Sequence, residues 1–171
     1  MAYDTRTFSE KKEIGNLGEQ KVKAVSELWG YEVEDVSDNP EYFDKGYDLI
    51  ARKDGKEVHL EVKTDNKTWT TGNLCVEEVS NYETNKPGWL YTGADDVVIV
   101  FYDPYNEMLR YTKMKHLREF VATHYCRHMN HKEWEGSYLK TAGLCLVSWE
   151  KLKVEHGKEI NLREVFEDEM D

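Results

Sequence analysis

The sequence contains only three cysteines and three prolines among its 171 residues, and it has no long uninterrupted run of apolar residues. Cys75, Cys126 and Cys145 are an odd number at wide spacing, which is typical of reduced thiols rather than of a disulfide framework. No stretch approaches the roughly 18 apolar residues that a membrane-spanning helix needs. The first residues also lack the apolar segment of a secretory signal. The sequence therefore predicts a cytoplasmic protein with reduced cysteines.

Positive charge is also scarce, because 23 lysines and arginines face 34 aspartates and glutamates, for a net charge of -11. Such a charge repels polyanions at long range and argues against non-specific coating of nucleic acid. Residues 155–171 hold seven acidic and two basic side chains, so this segment alone contributes -5. Aromatic residues make up 12% of the chain, enough to build a core. We expect one domain over residues 1–171, with its core at about 10–150 and an acidic C-terminal segment at 155–171.

Hydrophobic spacing and turn residues predict the order of helices and strands. Apolar residues recur every three to four positions in two segments, which predicts helices over residues 10–29 and 115–129. The acidic C-terminal segment predicts a short helix near Leu162. This order is typical of an α/β fold with a mixed central β-sheet flanked by α-helices. The predicted strands are 31–36, 47–53, 56–63, 73–80, 96–102, 107–112 and 144–149.

A β-hairpin is the strongest local prediction. Asp54-Gly55 separates two strand-like runs, and this dipeptide favours a two-residue type I′ turn. In that turn Lys53 faces Lys56, so the numbers of every cross-strand pair sum to 109. Asp48 and Glu61 then lie opposite each other with their Cβ atoms about 4.5 to 5.5 Å apart, and Lys63 shares their face.

Two carboxylates facing each other predict a cation between them. Like charges at such positions are destabilising, and each raises the pKa of the other unless a cation intervenes. Asp48, Glu61 and the main-chain carbonyl of Val62 would offer the oxygen ligands that Mg²⁺ prefers. Lys63 would stabilise charge on a substrate phosphate or orient an attacking water. The alternative is that these are ordinary solvated residues, with Lys63 as their charge partner.

These residues and their order resemble a known superfamily. Residues 46–50 (Gly-Tyr-Asp-Leu-Ile) precede residues 61–63 (Glu-Val-Lys), and residues 15–19 (Gly-Asn-Leu-Gly-Glu) lie in the predicted first helix. Over roughly residues 10–103 the chain resembles the PD-(D/E)XK nucleases, which have the restriction-endonuclease-like fold. The resemblance implies that Asp48 and Glu61 bind the metal, that Lys63 is catalytic, and that Glu19 assists directly or through water. Tyr47 stands where the family often has proline.

Residues 63–65, 71–77 and 94–100 are similar to small phage and mobile-element proteins of that superfamily. The resemblance implies a compact endonuclease that depends on Mg²⁺, for which Mn²⁺ can substitute, and that cleaves duplex, branched or single-stranded DNA in the host cytoplasm. Junction resolution, recombination and DNA processing are the roles it implies. Glu77 is either a further ligand or water-positioning group, or a solvent-facing strand residue. We expect a homodimer, because cleavage of both strands needs two sites.

A second metal site is possible at the predicted second helix. His124 and His128 are four residues apart, with Cys126 between them and His131 one turn further on. This spacing on a helix is compatible with zinc. Since no paired Cys-x-x-Cys accompanies it, packed histidines, or histidines that contact phosphate, are the favoured interpretation.

Two other function classes remain open. The first is a non-catalytic acidic interaction protein, such as an inhibitor or DNA mimic, that uses its negative charge to occupy a partner's DNA-binding surface. The second is a nucleic-acid-binding module that does not cleave. Aromatic rings that could stack on bases lie in the predicted loops. These rings are Trp69, Tyr82, Trp89 and Tyr91.

Overall fold

The computed structural model describes residues 8–167, which form helices and two β-sheets. The helices are α1 (Phe8–Leu28), α2 (Thr68–Thr71), α3 (Trp89–Thr92), α4 (Met114–Thr123), α5 (Trp149–Glu155) and α6 (Leu162–Glu167), with a 3₁₀ turn at Pro40–Tyr42. The strands are β1 (Glu32–Asp35), β2 (Leu49–Lys53), β3 (Lys56–Thr64), β4 (Asn73–Asn81), β5 (Lys86–Pro87), β6 (Val98–Asp103), β7 (Met108–Lys113), β8 (Arg127–Glu135), β9 (Tyr138–Ser148) and β10 (Lys158–Asn161).

The first sheet has six strands in the order β1-β2-β3-β6-β7-β10. Strands β3 and β6 pair in parallel and the other neighbours pair antiparallel, so the sheet is mixed. Strand β6 lies inside the sheet, and Ile99, Val100, Phe101 and Tyr102 on it are buried, as is typical of a strand covered on both faces. These features confirm the predicted α/β class with a mixed central sheet.

Helix α1 packs closely against β3 through Gly18. A Cβ atom at this position would lie 2.7 Å from Thr64 Oγ1 and 3.4 Å from Val62 Cγ1, so only glycine fits without displacement. The Thr64 hydroxyl donates a hydrogen bond to the Ile14 carbonyl at 2.9 Å. Gly15, by contrast, faces open space. The close contact at Gly18 therefore fixes the position of Glu19, the residue that follows it, relative to β3.

The second sheet is antiparallel, with the order β5-β4-β9-β8. Its inner face carries Leu74, Val76, Cys145 and Val147, all fully buried. They join one core with residues of β6 and α4. Strand β4 lies between β3 and β6 in the chain, so this sheet is built partly within the connection that links two strands of the first sheet.

The structure corrects the predicted second helix. Helix α4 ends at Thr123, and residues 127–135 form β8 instead of continuing the helix to Met129. All nine residues of β8 pair with β9, from Arg127 with Leu146 to Glu135 with Tyr138. This cross-strand pairing outweighs the local helical spacing, since each residue gains a partner that the sequence pattern does not reveal. Strand β9 also begins at Tyr138, six residues before the predicted start.

Smaller differences concern the segments between these elements. The segment between the predicted strands 73–80 and 96–102 contains the short β5 and α3. The predicted short helix near the C-terminus is confirmed as α6, with Leu162 fully buried. Residues 168–171 of the acidic segment lie outside the described residues. Within residues 8–167, no helix combines the length and apolar character needed to cross a bilayer.

Candidate active site at the end of a hairpin

The hairpin formed by β2 and β3 has the predicted register. Asp54 and Gly55 adopt positive φ angles of 51° and 73°, as a type I′ turn requires. The cross-strand pairs run from Lys53 with Lys56 to Leu49 with Leu60, and the two residue numbers of each pair sum to 109. The regular ladder ends there, because the Asp48 N–H donates a hydrogen bond to the Leu60 carbonyl at 2.8 Å. Asp48 therefore lies just before β2, beside Glu61 and Val62, and the predicted direct pair of Asp48 with Glu61 is not part of the ladder.

The Asp48 side chain is anchored on β3. Its Oδ2 accepts a hydrogen bond from the Val62 N–H at 2.8 Å, and its own carbonyl accepts one from Val36 N–H at 2.9 Å. The Asp48 carboxylate thus accepts the hydrogen bond from Val62 N–H that a backbone carbonyl of β2 would accept if the strand pairing continued. This arrangement fixes the direction of the carboxylate.

Glu61 and Lys63 lie on the same face of β3, and they form an ion pair. The Glu61 residue is only 7% exposed, whereas about a third of the Lys63 side chain is exposed. Lys63 Nζ also lies 5.8 Å from the centre of the Trp89 ring, within reach of a cation–π interaction. The structure therefore brings the three residues of the predicted motif together.

The electrostatics of this group are unfavourable for Asp48. Burial, followed by the negative charge of Glu61, raises the pKa of Asp48 from 3.8 to about 7, against the opposing effects of Lys63 and the Val62 N–H. Burial disfavours the charged form of Lys63, but the charges of Glu61 and Asp48 outweigh it and raise the pKa of Lys63. The positive charge of Lys63 is thus shared by a buried carboxylate, Glu61, and a partly buried one, Asp48.

Glu19 adds a third carboxylate from α1. Burial is the main cause that raises the pKa of Glu19, and the charges of Asp35, Asp38 and Glu61 raise it further, while a hydrogen bond with Ser37 opposes them. Glu19 also contributes to the raised pKa of Asp48. The helix residue predicted to assist the site therefore lies within electrostatic range of both acids of the hairpin.

A cleft of about 420 Å³ opens over these residues. Asp48 and Glu61 line one side, and Glu77, Lys86 and Trp89 line another. Burial raises the pKa of Glu77, although Lys140, Lys63 and a hydrogen bond from the Trp89 N–H act in the opposite direction. Of the two interpretations of Glu77, the structure favours the one near the site, because Glu77 lines the cleft and lies within electrostatic range of Lys63.

The donor set of the cleft fits a hard divalent cation. Asp48 and Glu61 are neighbouring carboxylates that are partly or largely buried, and Lys63 alone leaves excess negative charge between them. The N–H and C=O of one residue in a strand point to the same side. Because the Val62 N–H points to Asp48, the Val62 carbonyl is directed to that side as well. Together with the carboxylates of Asp48 and Glu61, this carbonyl would supply the oxygen ligands that Mg²⁺ prefers.

Sequence reasoning missed the part that Trp89 plays. Its backbone donates to Glu77 and its ring lies near Lys63, so it connects the two walls of the cleft. The preceding Gly88 was an available signal, since a Cβ there would lie 2.2 Å from the Glu77 carbonyl oxygen. Glycine next to a large aromatic residue marks such a close approach of two backbones.

The histidine arrangement considered for zinc, but not favoured, does not form. His124 caps the C-terminus of α4 and lies 2.8 Å from Glu155, whereas His128 and His131 lie on β8. Because the helix ends at Thr123, the histidines share no helical face. The zinc arrangement considered for residues 124, 128 and 131 is therefore wrong.

Comparisons with known proteins bear on the same region. The model of a family described as "Protein NO VEIN, C-terminal" matches residues 10–92, which include Glu19, Asp48, Glu61, Lys63 and Glu77. A comparison with curated proteins gave no match.

Two solved structures are similar to this chain. One is a bacterial homing endonuclease, I-Ssp6803I, at 23% identity and a TM-score of 0.47, over 61% of this chain and 69% of that chain. The other is D212, a nuclease from a fusselovirus, at 12% identity and a TM-score of 0.44, over 84% and 89% of the two chains. Membership of the PD-(D/E)XK superfamily stays a prediction.

Proposed function

We propose that the protein is an Mg²⁺-dependent deoxyribonuclease that hydrolyses phosphodiester bonds of DNA. The observation that carries the proposal is the pair of adjacent carboxylates Asp48 and Glu61, held beside Lys63 at the base of an open cleft. Two neighbouring carboxylates with only one lysine beside them destabilise the fold, so the arrangement is not explained by folding stability. They match the needs of phosphate hydrolysis, which requires a bound cation and a second positive charge.

The chain offers a defined set of metal ligands. Asp48 and Glu61 would bind Mg²⁺ through their side chains, Val62 through its main-chain carbonyl, and Glu19 through a water molecule. When bound, Mg²⁺ supplies positive charge that stabilises the negative charge developing on the scissile phosphate. Mn²⁺ has similar oxygen preferences and should substitute.

Lys63 acts on the substrate rather than on the cation. Its ammonium group is held by Glu61, and about a third of its side chain is exposed, so it can donate to a phosphate oxygen or to the attacking water. Its raised pKa keeps it protonated at neutral pH. Lys63 therefore serves as a fixed positive charge and a hydrogen-bond donor.

The substrate in this proposal is DNA in duplex, branched or single-stranded form. A net charge of -11 opposes long-range attraction of DNA, so binding must depend on contacts near the cleft, where Lys63, Lys86 and Trp89 lie. The homodimer, the cytoplasmic location and a role in phage or mobile-element DNA processing stay predictions.

Cleavage assays test the proposal directly. Wild-type protein and the Lys63→Met variant are incubated with labelled duplex, single-stranded, flap and four-way-junction DNA in Mg²⁺, in Mn²⁺ or in EDTA. Lys56→Met is the matched control, because Lys56 lies on the same strand but is exposed. We expect metal-dependent cutting by wild type and Lys56→Met that is lost in Lys63→Met and in EDTA.

Other outcomes separate the alternative functions. DNA that is bound but not cut with either metal would identify a binding module. Neither cutting nor binding of any of the four substrates would favour the acidic inhibitor, and both results would contradict the nuclease.

A further inference from the structure

A second group of metal-ligating side chains lies in the second sheet. Glu78, His128 and Cys145 each direct one donor atom to a common point, and these three atoms all lie within 4.8 Å of one another. His128 Nδ1 lies 2.7 Å from Glu78 Oε2, so two of the three are already in contact. These residues come from β4, β8 and β9, three neighbouring strands.

The strand pairing explains how this group forms. His128 and Cys145 are direct cross-strand partners between β8 and β9, and Cys145 also pairs with Val76 on β4. The pairing of β4 with β9 is irregular between Glu77 and Val79, which leaves Glu78 without a paired residue on β9. The Glu78 side chain instead extends across β9 and contacts His128 on β8.

The chemistry of the three donors indicates zinc. A thiolate, an imidazole and a carboxylate are the ligand types that Zn²⁺ takes in proteins, whereas Mg²⁺ prefers oxygen donors alone. We propose that Glu78, His128 and Cys145 bind a Zn²⁺ ion, with Cys126 as the fourth ligand. Cys126 lies two residues before His128, and its buried thiol interacts with that of Cys145.

The adjustment required is small. Tetrahedral coordination with bonds of about 2.0 to 2.3 Å places ligand atoms about 3.3 to 3.8 Å apart. The 2.7 Å contact between His128 and Glu78 therefore opens by about 0.6 to 0.8 Å. The other separations, which are at most 4.8 Å, contract by no more than about 1.5 Å. The His128 side chain is 65% exposed and free to adjust, while Cys145 is fully buried and provides the fixed point.

The site would stabilise one wall of the cleft. Glu77, the residue before Glu78, faces the cleft, and the Gly88 N–H donates to the Glu78 carbonyl at 2.9 Å. A Zn²⁺ ion on Glu78 therefore fixes the backbone that carries Glu77 and the segment that carries Trp89. Zinc binding itself does not depend on the proposed nuclease activity.

Zinc binding is measured on the full chain, independently of DNA cleavage. The wild-type protein is stripped with chelator and titrated with Zn²⁺ against a chromophoric competitor, and the bound metal is counted by mass spectrometry. We expect one Zn²⁺ per chain and a zinc-dependent rise in melting temperature. Titration with Co²⁺ should give the thiolate-to-metal absorption band that a cysteine ligand produces.

Variants identify the ligands. His128→Ala is the decisive change because His128 is exposed and its loss leaves the core intact; Glu78→Gln, Cys145→Ser and Cys126→Ser complete the set. Loss of a supporting partner weakens metal sites by about 10- to 100-fold, so loss of a ligand should weaken zinc binding by at least about tenfold. His131→Ala and Cys75→Ser are matched controls from the same sheet, and Lys63→Met should bind zinc normally.

Three results would overturn the proposal. They are failure of the wild-type protein to bind zinc, equal affinity of wild type and His128→Ala, and a cobalt spectrum without a thiolate band. Unchanged affinity in Cys126→Ser alone would overturn the assignment of the fourth ligand.

Discussion

Asp48 lies just before β2 and Asp103 ends β6, both strands of the first sheet. The surroundings of these two aspartates shift their pKa values in opposite directions. Burial opposes ionisation of Asp103, yet hydrogen bonds from Asn106, Arg110 and Tyr105 outweigh it and lower the pKa of Asp103. The Asp103 carboxylate accepts hydrogen bonds from two backbone N–H groups and from two side chains, one of which is the Arg110 guanidinium at 3.1 Å. Asp103 is fully satisfied within the protein.

Asp48 has the opposite balance. It accepts one backbone hydrogen bond at 2.8 Å and faces Glu61, and its pKa rises to about 7. A buried acid that is satisfied locally is typical of a structural role, whereas one left with a like charge beside it is typical of a binding site. The difference predicts which substitution damages activity and which damages stability.

The largest expected effect sharpens this comparison through activity. Asp48→Asn removes a proposed metal ligand but keeps the size of the side chain. We expect cleavage to fall by roughly 10³-fold, comparable to the loss of a principal transition-state contact. The metal-free variant should be at least as stable as wild type at pH 8, as measured by urea denaturation. Cleavage by Asp48→Asn at the wild-type rate would contradict the assigned role.

Asp103→Ala tests the other side of the comparison. It leaves the buried Arg110 without its partner, and breaking a buried ion pair in this way typically costs about 3 to 5 kcal/mol. We expect the free energy of unfolding to fall by that amount. Folded variant protein should still cleave DNA, because Asp103 does not line the cleft. A loss of activity without a loss of stability would reverse the roles of the two aspartates.

The pH dependence of stability offers a third test. The folded-state pKa of Asp48 lies above its ordinary value of 3.8, so the folded protein binds this proton more tightly than the unfolded chain. The free energy of unfolding of the metal-free protein therefore falls as the pH rises from about 4 to about 7. We expect a decrease on the order of 2 kcal/mol, since each pKa unit corresponds to about 1.4 kcal/mol and the interacting charges share the shift.

Asp48→Asn is the control for this pH profile. It should show a flatter profile, with a residual slope from Glu19 and Glu77, whose pKa values are also raised. If the free energy of unfolding changed with pH equally in the variant and in wild type, the charge on Asp48 would not be the one that destabilises the folded protein.

The smallest expected effect concerns the helix that carries Glu19. Gly18→Ala places a methyl group 2.7 Å from Thr64 Oγ1, and such overpacking costs about 1 to 3 kcal/mol. Gly15→Ala meets open space and should instead stabilise the helix by up to about 1 kcal/mol. Thermal unfolding of the pair measures the contrast. Equal effects would show that α1 does not rest on β3 through Gly18.

The hairpin was predictable because its determinants are local. Asp54-Gly55 sets the register from Lys53 with Lys56 to Leu49 with Leu60, which brings Asp48 next to Glu61 and Val62. The switch of residues 127–135 from helix to strand was not predictable in this way. It depends on pairing with β9, and the contact of His128 with Glu78 joins positions 50 residues apart. Composition and spacing carry no signal for such contacts.

The parallel pairing of β3 with β6 has a consequence for the folding order. The Asp48–Glu61 contact closes within a short hairpin, whereas Leu60 pairs with Val98, which lies 38 positions further along the chain. Longer closures cost more entropy and form more slowly. We therefore expect the acid pair to form before β3 pairs with β6 and before Glu77 pairs with Leu144 on β9. We expect the charged pair to stay exposed to water until the strands around it have paired.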